Sequence, residues 1–129
     1  MNKLDKESVT GITALLVHAA NIDEIYSEHE KDLIKDFIKS YLKDVEVNEI
    51  LKNAEKIESN SNQLLNYTNI IKQKSMDIKK DIIEHLWKVI ISDNTVDQYE
   101  SNLMRRICGL IYFEDKECAE IKLKLINNK

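Results

Sequence analysis

The stretch that decides the fold is residues 76–91, MDIKKDIIEHLWKVII, in which apolar side chains recur at three- and four-residue steps. These side chains cover almost the whole circumference of a helix, and such a helix is normally buried at the centre of a protein. The stretch is shorter than the ~20 residues that a helix needs to span a membrane. We therefore expect Met76–Ile91 to be the central helix of an α-helical domain.

Six further segments show helical periodicity. With no Pro and two Gly, the chain lacks the frequent turn residues that an all-β domain needs. The sequence therefore predicts one compact all-α bundle of about seven helices over residues 1–129. The six additional helices are expected over about Lys6–Ala20 and Glu28–Lys43, from Val47 to the polar run Ser59–Asn62, over Leu64–Ile71, around Leu103–Ile111, and from Asp115 onward.

A weak internal repeat relates the two halves of the chain. Each half consists of a helix, an acidic turn and a second helix, and we expect the two pairs to pack with pseudo-twofold symmetry. A shift of 70 positions places Ile12 on Ile82, Leu16 on Leu86, Asp23 on Asp93, Glu30 on Glu100, Leu33 on Leu103 and Ile34 on Met104.

The two acidic turns end in glutamates that we expect to point inward. On a helical wheel Glu30 and Glu100 lie in line with the apolar stripes of the helices that they begin. Extending the preceding helices also places Asp23 and Asp93 on the packed side. A carboxylate removed from water needs a cation or several hydrogen-bond donors.

Two interpretations of these carboxylates stay open. The spacings Ser27-x-x-Glu30 and Asp97-x-x-Glu100 match the capping box, which accounts for the glutamates without a ligand and which we prefer. The alternative is a weakly held Ca²⁺ or Mg²⁺, although the turns are too short for an EF-hand. Its ligands would be Asp23, Ser27 and Glu30 in the first turn, and Asp93, Asp97 and Glu100 in the second.

Other reactive side chains predict no catalytic site. Arg105 and Arg106, the only arginines of a lysine-rich chain, are candidates for an ion pair with an inward carboxylate or with a partner, or else lie on a solvated helix edge. Cys108 and Cys118 form no CxxC motif, so we expect them to be small buried hydrophobes in a reducing cytoplasm. The three histidines share no zinc-ligand spacing.

Charge and the first residues of the chain indicate the compartment. A net charge of −4 without a basic face argues against nucleic-acid binding. The segment Met1–Thr10 is too polar for a signal peptide. We expect a cytoplasmic protein without membrane insertion, without a cofactor and without enzymatic activity.

Several motifs resemble the tellurite-resistance TerB-like family. They are Leu86-Trp87-Lys88-Val89, Ser92-Asp93-Asn94, Tyr99-Glu100 and Arg105-Arg106-Ile107, and the resemblance is strongest from Asp81 to Lys124. It implies a bundle of about seven helices and a metal-binding or structural role for Asp23, Glu30, Asp93 and Glu100. Members are linked to stress or tellurite tolerance, and a related domain precedes a membrane-anchored DnaJ-like co-chaperone.

The resemblance and the residues together predict a function class. We expect a non-enzymatic module, interacting or regulatory, that binds an unknown protein partner and is compatible with homo-oligomerisation. The alternative is a sensor in which a divalent cation bound by the acidic turns shifts a helix pair.

Overall fold

The computed structural model describes residues 5–21, 27–42, 46–60, 64–91 and 98–127. This part of the chain holds seven α-helices and no β-strand, which confirms the predicted all-α class. The helices are α1 (Lys6–Asn21), α2 (Glu28–Tyr41), α3 (Val47–Asn60), α4 (Leu64–Lys72), α5 (Met76–Ile91), α6 (Gln98–Leu110) and α7 (Asp115–Asn127).

Short polar side chains start the helices where the sequence places them. The Asp5 carboxylate accepts the backbone N–H of Ser8 at 2.8 Å, and its hydrogen bonds with Ser8 lower the pKa of Asp5. Ser75 Oγ accepts the N–H of Ile78 at 3.3 Å at the start of α5. The second helix ends at Tyr41, because Leu42 has extended backbone angles.

The core is built around two helices, α1 and α5. Eleven residues of α1 and ten of α5 are buried, so the predicted burial of α5 is confirmed and α1 shares its position. The apolar side chains of α1 are interspersed with small residues such as Gly11, Ala14 and Ala19, which let neighbouring helices approach closely. Both helices therefore lie inside the bundle.

The helix pairings are not equivalent in the two halves of the chain. Within the described residues α1 packs against α2, α3, α4 and α5, whereas α5 packs against α1, α2 and α7. The packing of α1 on α2 is not matched by contacts of similar extent between α5 and α6 among the described residues, since the larger contacts of α6 are with α4 and α7. The predicted pseudo-twofold repeat is therefore not confirmed.

A tight turn joins α6 to α7. Tyr112 has a left-handed backbone (φ 59°), and the N–H of Phe113 donates to the carbonyl of Cys108 at 2.8 Å. The Tyr112 N–H makes a longer bond of 3.4 Å to the Gly109 carbonyl. These features define a Schellman turn, with the buried Phe113 following the left-handed residue. The turn sets how α7 packs back on α6.

None of the helices, over the ranges that the structure describes, has the length and hydrophobicity of a membrane span.

Candidate functional site

The first acidic turn ends in a capping box. Ser27 Oγ accepts the backbone N–H of Glu30 at 3.1 Å, and Glu30 Oε1 accepts the backbone N–H of Ser27 at 2.9 Å. The Ser27 hydroxyl also donates to Glu30 Oε1 at 3.2 Å. Glu30 is 6% exposed, so its carboxylate is buried and hydrogen-bonded as the sequence predicted.

The second acidic turn is described only from its last residues. Glu100 is 4% exposed in the first turn of α6, which confirms that it points inward. Asp93 and Asp97, like Asp23 in the first turn, lie outside the described residues. The predicted second capping box and the alternative cation sites therefore stay predictions, and no cluster of three potential metal ligands lies within the described ranges.

Arg105 and Arg106 lie on the exposed side of α6. Within the described ranges neither forms an ion pair, and a partner at Asp93 would lie outside those ranges. Arg105 instead borders a cavity.

This cavity, of about 530 Å³, lies between α5, α6 and α7. Its lining includes a thiol, an indole, and side chains of both positive and negative charge. The lining residues are Trp87, Ser101, Met104, Arg105, Asp115, Cys118, Ala119 and Lys122.

The two cysteines lie close to this cavity. Cys108 on α6 and Cys118 on α7 are free and buried, and an interaction between their thiols shifts the pKa of each. The indole N–H of Trp87 donates to Cys118 Sγ at 3.3 Å. Lys122 Nζ lies 5.2 Å from the centroid of the Trp87 ring. The predicted burial of both cysteines is confirmed.

The interaction separates the two thiols in acidity. The interaction with Cys108 lowers the pKa of Cys118, and the Trp87 N–H and Lys122 act in the same direction, whereas burial and the Asp115 carboxylate oppose them. The interaction with Cys118, followed by burial, raises the pKa of Cys108.

This pair was not predicted, because no short cysteine motif such as CxxC connects the two residues. Cys108 lies on the apolar stripe of α6 and Cys118 in the first turns of α7, with a four-residue connection between the helices. Two such positions face each other when a short turn makes the helices antiparallel neighbours. The combination of stripe position and connection length was the available signal.

Two other polar clusters join helices. The Tyr41 hydroxyl donates to Asp81 Oδ2 at 2.5 Å, and burial, followed by this hydrogen bond, raises the pKa of Tyr41. His85 Nδ1 lies 2.8 Å from the Asp81 carbonyl oxygen. In the second cluster, Glu58 Oε2 lies 3.4 Å from His18 Nδ1, and Glu58 Oε1 accepts a hydrogen bond from Asn21 Nδ2 at 3.0 Å. These bonds tie α2 to α5 and α1 to α3.

Comparison with protein families identifies a match over most of the chain. The family model described as "Tellurite resistance protein TerB" matches residues 10–123, which is most of the chain and includes all seven helices in whole or in part. No curated protein and no solved structure matches the sequence.

Proposed function

The chain belongs to the TerB family, and on that premise we propose that it is a non-enzymatic helical module, acting in tellurite or stress tolerance by binding a protein partner. The proposal depends on one observation, the exposure of two apolar side chains on the outer face of α7. Leu123 is 56% exposed and Ile126 is 41% exposed. Apolar side chains that lie next to each other on one exposed face, unlike scattered ones, are typical of a contact surface for another protein.

The position of α7 explains this exposure. Among the described residues, the larger contacts of α7 are with α5 and α6. Cys118 is the only residue of this helix that is classed as buried. Ile121 and Leu125 are partly buried against the core. Leu123 and Ile126 are three residues apart and so lie on one helix face. A partner that covered this face would complete the burial of α7.

Three of the described carboxylates support a non-enzymatic role, because the hydrogen bonds that they form are those of a scaffold. Glu30 caps α2, Asp81 holds Tyr41, and Glu58 holds Asn21 and His18. A general acid or base must instead reach a substrate with a free proton position. Two free thiols suit a reducing compartment, and we place the protein in the cytoplasm.

The test compares three forms of the protein as bait in extracts of a bacterium that expresses it. The double substitution Leu123→Asp and Ile126→Asp places charge on the α7 face. The matched control is Ile57→Asp on α3, since Ile57 is also exposed (40%). We expect wild type and the control to retain the same partner and the α7 variant to lose it, together with tellurite tolerance in growing cells.

Circular dichroism must show that all three forms are equally folded. Capture of the same proteins by the α7 variant would contradict the proposed surface. Turnover of simple phosphoester or amide substrates by purified wild-type protein would contradict the non-enzymatic role.

The second candidate function is a divalent-cation sensor. It is favoured by one observation, the burial of Glu30 and Glu100 in the first turns of α2 and α6. If the acidic turns hold Ca²⁺, Mg²⁺ or Mn²⁺, a millimolar concentration of the ion will raise the melting temperature. The double substitution Asp93→Asn and Glu100→Gln should abolish that rise. An unchanged melting temperature with every ion would exclude this candidate.

A further inference from the structure

We propose that the cavity between α5, α6 and α7 binds a small organic acid, which places an aromatic or other apolar group on the indole of Trp87 and its carboxylate against Arg105 and Lys122. Neither Leu123 nor Ile126 belongs to the lining. The proposal therefore does not depend on the outer face of α7 as a surface for a protein partner.

The helical period brings the lining residues together. On α6, Ser101, Met104 and Arg105 are three and four residues apart and so share one face of the helix. The lining residues of α7 follow the same spacing, and they are Asp115, Cys118, Ala119 and Lys122.

The size of the cavity suits a small organic molecule. Its volume is about 530 Å³, within the range of ~300–1,000 Å³ that is usual for ligand pockets. An apolar cavity of ~150 Å³ already accommodates benzene. The cavity can therefore hold a substituted ring.

The floor of the cavity, formed by Trp87, Met104 and Cys118, is apolar. All three side chains are buried, so they form its deepest part. The indole N–H of Trp87 already donates to Cys118 Sγ at 3.3 Å, and the indole therefore offers a ligand ring surface rather than a hydrogen bond. An aromatic or other apolar group is stabilised on such a floor because it leaves water.

The entrance of the cavity carries two cations. Arg105 is exposed and Lys122 is partly exposed. Among the residues that the structure describes, neither forms an ion pair, although Asp115 lines the same cavity. Lys122 Nζ lies 5.2 Å from the centroid of the Trp87 ring, which places its charge beside the floor.

The balance of charge selects an anionic ligand. Two positive side chains oppose the single carboxylate of Asp115, so the lining is net positive in a chain whose net charge is −4. Asp115 lies in the first turn of α7, where the positive end of the helix dipole offsets part of its charge. The guanidinium of Arg105 presents two parallel donors that match a carboxylate. The lining therefore favours a carboxylate over an ammonium group.

The experiment titrates the full-length protein with phenylacetate and with cinnamate. Binding is followed by calorimetry and by the fluorescence of Trp87, which is the only tryptophan and lies on the floor. We expect at least one of the two acids to bind saturably with a Kd of about 1 mM or tighter. Absence of saturable binding by both acids at millimolar concentration would overturn the proposal.

Three analogues of phenylacetate separate the contributions of charge and ring. Phenylacetamide lacks the charge, benzylamine reverses it, and acetate lacks the ring. We expect each to bind at least about tenfold more weakly than phenylacetate. Equal binding of the amide or the amine would contradict the role of the cations, and equal binding of acetate would contradict the role of the floor.

Substitutions of the two cations locate the carboxylate. Arg105→Gln and Lys122→Gln should each weaken the binding of the acid at least about fivefold. The matched control is Arg106→Gln, because Arg106 is also exposed on α6 but does not line the cavity. We expect the control to bind like wild type, and circular dichroism must show equal folding. Equal affinity in the Arg105 and Arg106 variants would overturn the proposal.

A last variant blocks the cavity and leaves every charge in place. Ala119 is an exposed lining residue, and Ala119→Leu adds an apolar side chain at the entrance. The acid should raise the melting temperature of wild type, because it binds only the folded state, and it should not raise that of Ala119→Leu. Undiminished binding by a folded Ala119→Leu variant would show that the acid binds elsewhere and would overturn the proposal.

Discussion

At the scale of single residues, the buried Glu30 is stabilised by the start of its own helix. Ser27→Ala removes the hydroxyl that bonds to the N–H of Glu30 and to Oε1. We expect this substitution to lower the free energy of unfolding by about 0.5–2 kcal/mol, as measured by urea denaturation. The matched control is Ser40→Ala, because the Ser40 hydroxyl bonds to Asp36 O on the exposed side of the same helix. The control should change stability by less than ~0.5 kcal/mol. Equal losses would show that the capping box contributes nothing.

Tyr112 is a residue whose backbone conformation is unfavourable for its type. It has a φ of 59° and its side chain is exposed. Glycine has no Cβ penalty in the left-handed region, so Tyr112→Gly should raise the free energy of unfolding by about 0.5–1 kcal/mol. Lys72 Nζ lies 5.0 Å from the Tyr112 ring, and loss of this contact opposes the gain. Repeating the substitution in a Lys72→Gln background separates the two effects, and there the gain should be larger. A loss of stability in both backgrounds would contradict the interpretation that the left-handed backbone of Tyr112 is strained.

At the scale of elements, the two glycines allow a controlled comparison of helix packing. A Cβ on Gly11 would lie 2.4 Å from Ile70 Cδ1, where α1 meets α4, whereas a Cβ on Gly109 would meet nothing within 4 Å. Gly109→Ala should therefore stabilise the protein by about 0.5–1 kcal/mol. We expect Gly11→Ala to destabilise it by roughly 1 kcal/mol, because the overpacking outweighs the gain in helix propensity. Adding Ile70→Val removes the clashing carbon and should recover that loss. Denaturation of wild type and of these three variants measures this, and stabilisation by Gly11→Ala alone would disprove the close approach.

The helices themselves could be predicted because their buried positions follow the helical period. The bounds of α5 agree with the sequence prediction, and α1 extends by one residue beyond it. The left-handed end of α6 could not be predicted, because Tyr112 occupies a position where glycine or asparagine is usual. The central position of α1 was also missed. Small buried residues such as Gly11 and Ala14 carry little hydrophobic signal, although they permit the closest helix contacts.

The candidate sites also differ in how far they could be predicted from the sequence. The capping box depends on residues three apart, so Ser27 and Glu30 could be paired from the sequence alone. The position of Cys118 relative to Cys108 depends on how α7 packs back on α6, and the sequence indicates it only through the helix positions of the two residues and the four-residue connection between the helices. The indole of Trp87 comes from a third helix, α5. Contacts between distant segments therefore needed coordinates, whereas contacts within one helical turn did not.

At the scale of the whole molecule, the contacts run through α1 and α5, so the bundle should unfold as one unit. Trp87, the only tryptophan of the chain, packs on Cys118 of α7, and its fluorescence therefore reports the contact between α5 and α7. Circular dichroism reports all the helices together. We expect the two signals to give coincident urea transitions, as the predicted single domain over residues 1–129 would. A fluorescence transition at lower urea would instead separate α7 from the rest.

The same measurement distinguishes the centre of the bundle from its periphery. Leu86 is fully buried on α5, and Leu86→Ala should lower the free energy of unfolding by about 2–5 kcal/mol without changing the slope against urea. Leu123→Ala deletes the same atoms from an exposed position on α7 and should change stability by less than ~0.5 kcal/mol. Because the side chain is the same, the difference between the two variants measures burial. Equal losses would mean that Leu123 is covered in solution, by a second copy of the chain, and the stability of wild type would then depend on protein concentration.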